Sequence, residues 1–332
     1  MYKRQDEYLT DSTVAFGEVL DIWTRDSKPL DWARTQNNLG TSYAALGDRN
    51  TDYDKWNQAA SAYRAALEEW PREKVPLEWA NTNSNLGTML RTVGKYDKDE
   101  GKIEQAIETY RLALEEWTRE RVPFDWATVQ NNLGNALTDL AKLREDEAGY
   151  EEGIAAYDLA LEEWPRDKVP LNWATVQNNI GATYSSLGRL REGEAAADTF
   201  QKSVDAYLLC LQERTKDRDP RMWALTQYNL GLVLTDLAGV EDGTSALQQA
   251  VDAFNASLEV YDDTSSADWA DAQDGLGWVL AQLGYRSGDA DVVRQGKDAM
   301  EASFDFYRDY DGAAPYFEER LDQIEEWLKA VI

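Results

Sequence analysis

One recurring segment constrains this chain more than any other feature. "KPLDWARTQNNLG", "VPLEWANTNSNLG", "VPFDWATVQNNLG" and "VPLNWATVQNNIG" follow in succession, and "RMWALTQYNLG" and "ADWADAQDGLG" are looser copies. Their tryptophans stand at Trp32, Trp79, Trp126, Trp173, Trp223 and Trp269, spaced by 47, 47, 47, 50 and 46 residues. A near-constant period of this size marks units that bury their apolar surface chiefly against their neighbours, as stacked repeats do. Six copies of a catalytic site is the competing reading, and six copies of a structural brick is the simpler one.

Each period holds two helical patterns. In the first, Trp32, Gln36, Leu39, Tyr43 and Leu46 recur at steps of four and three; in the second, Ile103, Ile107, Tyr110, Leu114 and Trp117 do the same. Such spacing lines one face of an α-helix. Pro29, Pro76, Pro123 and Pro170 fall at the first turn of the leading helix, where a missing N–H costs nothing. Asp31, Glu78 and Asp125 follow, beside the positive helix N-terminus. Gly47, Gly94, Gly188 and Gly284 are expected to end that helix as left-handed residues. The second helix is expected to open after polar stretches such as "DRNTDYD" and "YDKDEGK".

These units resemble tetratricopeptide repeats. The first full unit carries the motif at Gln36, Leu39, Gly40, Tyr43, Gly47, Ala59, Tyr63, Ala66 and Pro71. The helix-packing glycines recur at Gly87, Gly134, Gly181, Gly231 and Gly277, and the aromatics of the second helix at Tyr110, Tyr157, Tyr207 and Phe254. The resemblance implies an all-α fold, a right-handed α-solenoid of antiparallel helix pairs. It divides the single solenoid of residues 1–332 into a lone helix over 8–24 and helix pairs over 29–71, 76–118, 123–165, 170–215, 220–262 and 267–308. A terminal helix over 315–331 completes it. The family's unit is about 34 residues. A seven-residue insertion between the helices and six further residues before the next unit are expected to supply the excess. Tryptophan has left the family's usual position. It lies four residues earlier, and a second row closes the trailing helix at Trp23, Trp70, Trp117 and Trp164. Indoles of that size are suited to fill the space that longer units create.

In this family the leading helices line a concave groove that binds peptides. The residue before each Leu-Gly pair is Asn38, Asn85, Asn132, Asn179 and Asn229, with Gly275 breaking the series, and the preceding place holds Asn37, Asn131 and Asn178. With Asn135, these residues form the set that the resemblance assigns to a peptide-binding groove. An amide both donates and accepts, so a row of them suits an extended backbone. Asn can equally bond the neighbouring helix, since buried polar groups need partners; both readings stay open. Groove positions where relatives grip a carboxylate with Lys or Arg are here mostly Asn, Thr, Ser and Asp. The expected partner is therefore a protein or peptide that is neutral or basic rather than acidic.

Composition narrows the classes. The 332 residues carry 62 acidic against 34 basic groups, a net charge of −28, which repels phosphate backbones and anionic lipid and so argues against nucleic-acid and membrane partners. No apolar run approaches the ~20 residues of a transmembrane helix. "MYKRQDEYLT" lacks the apolar core of a signal peptide, which makes the cytoplasm the default expectation. With no histidine, triads and histidine-assisted nucleophiles are excluded. The single cysteine, Cys210, sits at an apolar helical position and reads as packing. "DRNTDYDKWNQA" resembles a calcium loop but has Tyr53 and Ala59 where glycine and a carboxylate belong. No metal, no cofactor and no catalytic residue are expected, and the chain reads as a non-enzyme.

The ends form complementary halves. Leu9, Phe16, Leu20 and Trp23 continue the trailing-helix pattern, and Phe317, Leu321, Ile324 and Leu328 the leading-helix pattern. One reading is a solubilising cap, with Glu319, Glu325, Glu326 and Lys329 turned to water. Another is head-to-tail self-assembly of a structural protein into a filament, since a heterologous contact need not close. A third makes the chain the repeat arm of a larger signalling or enzyme chain.

Overall fold

The computed structural model describes residues 2–332, with side chains from residue 7, and those residues form fourteen α-helices and no strand. They gather into two compact units, one ending at Trp164 and the other beginning at Pro165. In the first unit α1 (Tyr2–Ile22) packs on α2 (Pro29–Asn50). The hairpins α2/α3 (Tyr53–Glu69), α4 (Pro76–Asp97)/α5 (Glu100–Glu116) and α6 (Pro123–Arg144)/α7 (Glu147–Glu163) follow. The second unit contains the hairpins α8 (Pro170–Gly188)/α9 (Gly193–Leu211), α10 (Pro220–Val240)/α11 (Ser245–Leu258) and α12 (Ala267–Ser287)/α13 (Ala290–Tyr307). Its last helix, α14 (Ala313–Val331), lies against α13 and α12.

Local chemistry sets the helix ends. Proline opens α2, α4, α6, α8 and α10. The carboxylates of Asp52, Asp99 and Asp146 cap the trailing helices by accepting from the backbone N–H of Lys55, Lys102 and Ala148. The expected helix-ending glycines do something else. Gly47, Gly94 and Gly284 lie inside helices that run on to Asn50, Asp97 and Ser287, and the left-handed residues after them are Thr51, Lys98 and Gly288. Gly188 does finish α8, but Arg189 continues right-handed. The physical reason is contact. A Cβ at Gly94 would lie 2.8 Å from Ile103 and one at Gly188 2.5 Å from the Phe200 ring, so these sites let the trailing helix start hard against the leading one. Where a seven-residue insertion was expected to separate the helices, α2 runs to Asn50 and α3 starts at Tyr53, leaving Thr51 and Asp52 as the connection.

In five of the six hairpins an aromatic fills the place vacated by a missing side chain, and in α12/α13 the backbone of Met300 and Gly296 itself comes up against Gly277. Tyr110, completely buried, lies where a Cβ on Gly87 would come within 2.9 Å. Tyr63, Tyr157, Tyr207 and Phe254 repeat the contact at Gly40, Gly134, Gly181 and Gly231. Burying each such ring contributes about 1.5–3 kcal/mol. The hydroxyls of Tyr63, Tyr110 and Tyr157 pair with the leading helix, Tyr110 with Thr88 at 3.0 Å and Tyr157 donating to Asn135 Oδ1 at 2.8 Å.

Between hairpins a second device recurs that the sequence reading overlooked. Arg72 stacks over Trp79, with its guanidinium carbon 4.9 Å from the ring centroid, and binds Glu115 and Glu116 of α5 at 2.7 and 2.6 Å. Arg25 over Trp32, Arg119 over Trp126, Arg166 over Trp173 and Lys216 over Trp223 repeat the arrangement, reaching Glu69, Glu163, Glu213 and Glu259. The relocated tryptophans are thus half-buried under a cation, while Trp70, Trp117 and Trp164 are buried outright. The signal was present in the text as basic residues two places after the closing tryptophan, in "WPREK" and "WTRER".

Candidate functional site

The two amide series behave differently. At the earlier position Asn37 Oδ1 accepts from Thr82 Oγ1 at 3.0 Å, and Asn178 Oδ1 from Thr226 Oγ1 at 3.4 Å. Both threonines are fully buried, so these amides join one leading helix to the next. Asn131 is buried as well, and Asn135 is engaged by Tyr157. At the later position Asn38 is exposed, and Asn85, Asn132, Asn179 and Asn229 are each partly exposed. Asn85 Nδ2 donates to Asn81 Oδ1 at 3.2 Å along its own helix, a bond that leaves the next helix untouched.

Gly275, the break in that later series, has a steric cause. A Cβ there would come within 2.5 Å of the Phe254 ring. The fully buried Phe254 ring takes that room, and beside it lies a cleft of about 320 Å³ lined from α10, α12 and α14 and by Arg189, just past α8. Tyr228, Trp278 and Tyr316 line the cleft, and two ion pairs flank it. Arg189 binds Asp236 through Nε and Nη2 at 2.9 and 2.7 Å. Arg320 binds Asp274 at 3.1 Å while lying 4.6 Å from the Trp278 centroid and 4.5 Å from that of Tyr316. Tyr316 donates to the same carboxylate at 2.6 Å.

Burial governs the electrostatics. Desolvation holds the carboxyls of Asp236 and Asp274 above the usual carboxylate range despite their arginines, and pushes the Tyr228 hydroxyl up to about 12. Cys210 is fully buried, its thiol raised by burial and 3.8 Å from Thr226 Oγ1. Among the described residues no three His, Cys, Asp or Glu side chains converge to hold a metal, and no helix is long and apolar enough to cross a membrane.

The residues expected at the two ends are placed unequally. Leu9, Phe16 and Leu20 are half-buried on α1, and so is Trp23 just past its end. Phe317 and Ile324 are buried within the chain, Phe317 stacked on Phe304 at 5.2 Å, with Leu321 and Leu328 packed beside them. Glu325 takes an ion pair from Lys297 at 2.6 Å.

No protein-family model and no curated protein matches the chain. Solved structures do. The C-terminal part of a TPR repeat-containing protein from Cytophaga hutchinsonii aligns with a TM-score of 0.55 and 12% identity, covering 94% of this chain and 98% of that one. PilF of Pseudomonas aeruginosa gives 0.53 and 18%, covering 89% and 100%. BtubC from P. vanneervenii gives 0.50 and 20%, covering 78% and 91%. Identities this low speak to architecture alone. With its helical hairpins, its glycine–aromatic contacts and these neighbours, the chain has the tetratricopeptide-repeat fold.

Proposed function

We propose that this protein is a non-catalytic interaction scaffold that holds a peptide or protein segment against the face of its leading helices. One observation carries the reading. Asn85 and Asn132 in the first unit, and Asn179 and Asn229 in the second, are partly exposed at the same place in their hairpins, while the amides of Asn37 and Asn178 one residue earlier tie helix to helix. Within either unit, a partly exposed amide side chain can both donate to and accept from an extended backbone. Several basic groups on or just past these helices and on α14 are paired with carboxylates, Arg91 with Asp139 at 2.6 Å, Arg189 with Asp236 and Arg320 with Asp274. With a net charge of −28, this favours a neutral or basic segment over an acidic one.

The test is selection of binders from a random peptide library on the wild-type protein, followed by titration of variants. Asn85→Ala, Asn132→Ala and Asn179→Ala combined should weaken the selected peptides at least tenfold with the thermal midpoint nearly unchanged. Thr82→Val with Thr226→Val should lower the midpoint and leave affinity intact. The reverse pattern sinks the reading.

A further inference from the structure

Three exposed apolar side chains edge the leading helices of the first unit. Leu30, Leu77 and Phe124 each follow the proline that opens α2, α4 or α6, and they are 46, 39 and 50% exposed. The Phe124 ring is braced by Trp164, with centroids 5.5 Å apart. This edge runs into the amide row: Asn85 bonds back to Asn81, one turn from Leu77, and Thr128 donates to the carbonyl of Phe124. Scattered surface leucines need no explanation, but large apolar groups repeated at one place in successive hairpins mark a contact surface.

We propose that this edge docks an extended, basic segment of the partner that presents an apolar side chain at every third residue. The inference rests on the scaffold reading and narrows its ligand. Spacing sets the period. α2 contacts α4 and α4 contacts α6; packed helices lie about 8–10 Å apart, and three residues of a polyproline-type chain span about 9 Å. Every third side chain of such a chain points the same way, so one column can meet Leu30, Leu77 and Phe124 in turn. A chain already extended also gives up little freedom on docking. Charge sets the sign. Over the connectors and first turns of residues 71–81 and 118–128, Arg72, Arg119 and Arg121 are bound to glutamates of the trailing helices. That leaves Lys74 against Glu73, Glu78, Glu120 and Asp125, four exposed carboxylates with no ion partner among the described residues. A lysine or arginine beside each apolar residue of the segment complements that surplus.

The probe is a fluorescein-labelled peptide of three Pro-Leu-Lys units, amidated at its C-terminus and titrated by anisotropy. One control permutes the same residues so that the leucines are adjacent, and a second carries glutamate for lysine. The permutation keeps composition and charge, so general attraction to an acidic surface cancels. The repeating peptide should bind the wild type at least tenfold more tightly than the permuted one, and the glutamate peptide more weakly still. Leu30→Gln with Leu77→Gln should remove that preference while circular dichroism stays unchanged. Glu78→Gln with Asp125→Asn, which leaves the apolar edge intact, should weaken the repeating peptide at least threefold. Equal binding of the repeating and permuted peptides overturns the inference, as does an undiminished preference in the leucine variant or undiminished affinity in the carboxylate variant. If library-selected peptides bind while the repeating peptide shows no preference, the scaffold reading survives alone. If neither set binds, both readings fall.

Discussion

Arg72 and Trp79 are seven residues apart in sequence and face to face in space, the guanidinium carbon 4.9 Å from the indole centroid. The same guanidinium reaches Glu115 and Glu116 on the next hairpin. It thereby ties a connecting loop, the leading helix that follows it and the trailing helix beyond. Both the stacking and the fork of donors are properties of arginine rather than of positive charge alone.

Arg72→Ala should therefore lower the thermal midpoint by a few degrees, and Arg72→Lys should recover less than half of the loss. Exposed ion pairs are screened by salt whereas stacking persists. The gap between wild type and Arg72→Ala should accordingly narrow, without closing, as ionic strength rises in a series of melts. A gap independent of salt would assign the effect to stacking alone.

Gly87→Ala tests the close approach inside a hairpin. The new methyl would meet the Tyr110 ring at 2.9 Å, and overpacking of a filled core costs about 1–3 kcal/mol. Alanine's higher helix propensity offsets only about 1 kcal/mol of this. Chemical denaturation should show a net loss of stability, and adding Tyr110→Leu should make the second substitution much less harmful than it is alone. Strict additivity of the two changes would show that the methyl and the ring do not meet.

Tyr110 also sets an alkaline limit. Burial pushes its hydroxyl up to about 12, against an ordinary value near 10. A phenol whose folded value is raised keeps its proton in the fold while the unfolded chain loses it. The stabilisation is therefore complete below pH 10 and is lost as pH climbs toward 12, on the order of 2 kcal/mol for this one group. Tyr110→Phe should be less stable than wild type at pH 8, for want of the Thr88 bond, yet lose less stability between pH 10 and 12. Urea melts across that range check the slope.

Arg214 stands where the row of Trp70, Trp117 and Trp164 predicts another indole, its N–H bonded back to Cys210 as Trp164's is to Ala160. It is 6% exposed; Nη2 donates to Thr175 at 2.9 Å, and Nη1 finds no partner. A buried charge lacking a full set of partners costs more than an apolar side chain in the same place. Arg214→Met should raise the thermal midpoint. A clear fall would mean that the guanidinium answers a buried acceptor through ordered water.

Much was legible before any coordinates. The period of the tryptophans, the proline starts and the four-three spacing of residues such as Ile103, Ile107 and Tyr110 fixed the helices and their pairing, because those signals are local and backbone geometry turns them directly into helices. The small residue at Gly87 likewise announced a close helix contact. Other features depended on what each side chain meets across space. Gly94 read as a helix terminus, since glycine's conformational freedom and its lack of bulk look identical in one dimension; only the approach of Ile103 separates them. Asn37 and Asn38 are neighbours of the same type, yet one bonds Thr82 forty-five residues on and the other faces water, because adjacent helical positions point about 100° apart. The cleft at Gly275 was visible only as a missing amide. Its aromatic walls and paired charges come from four helices, and helix packing alone brings them together.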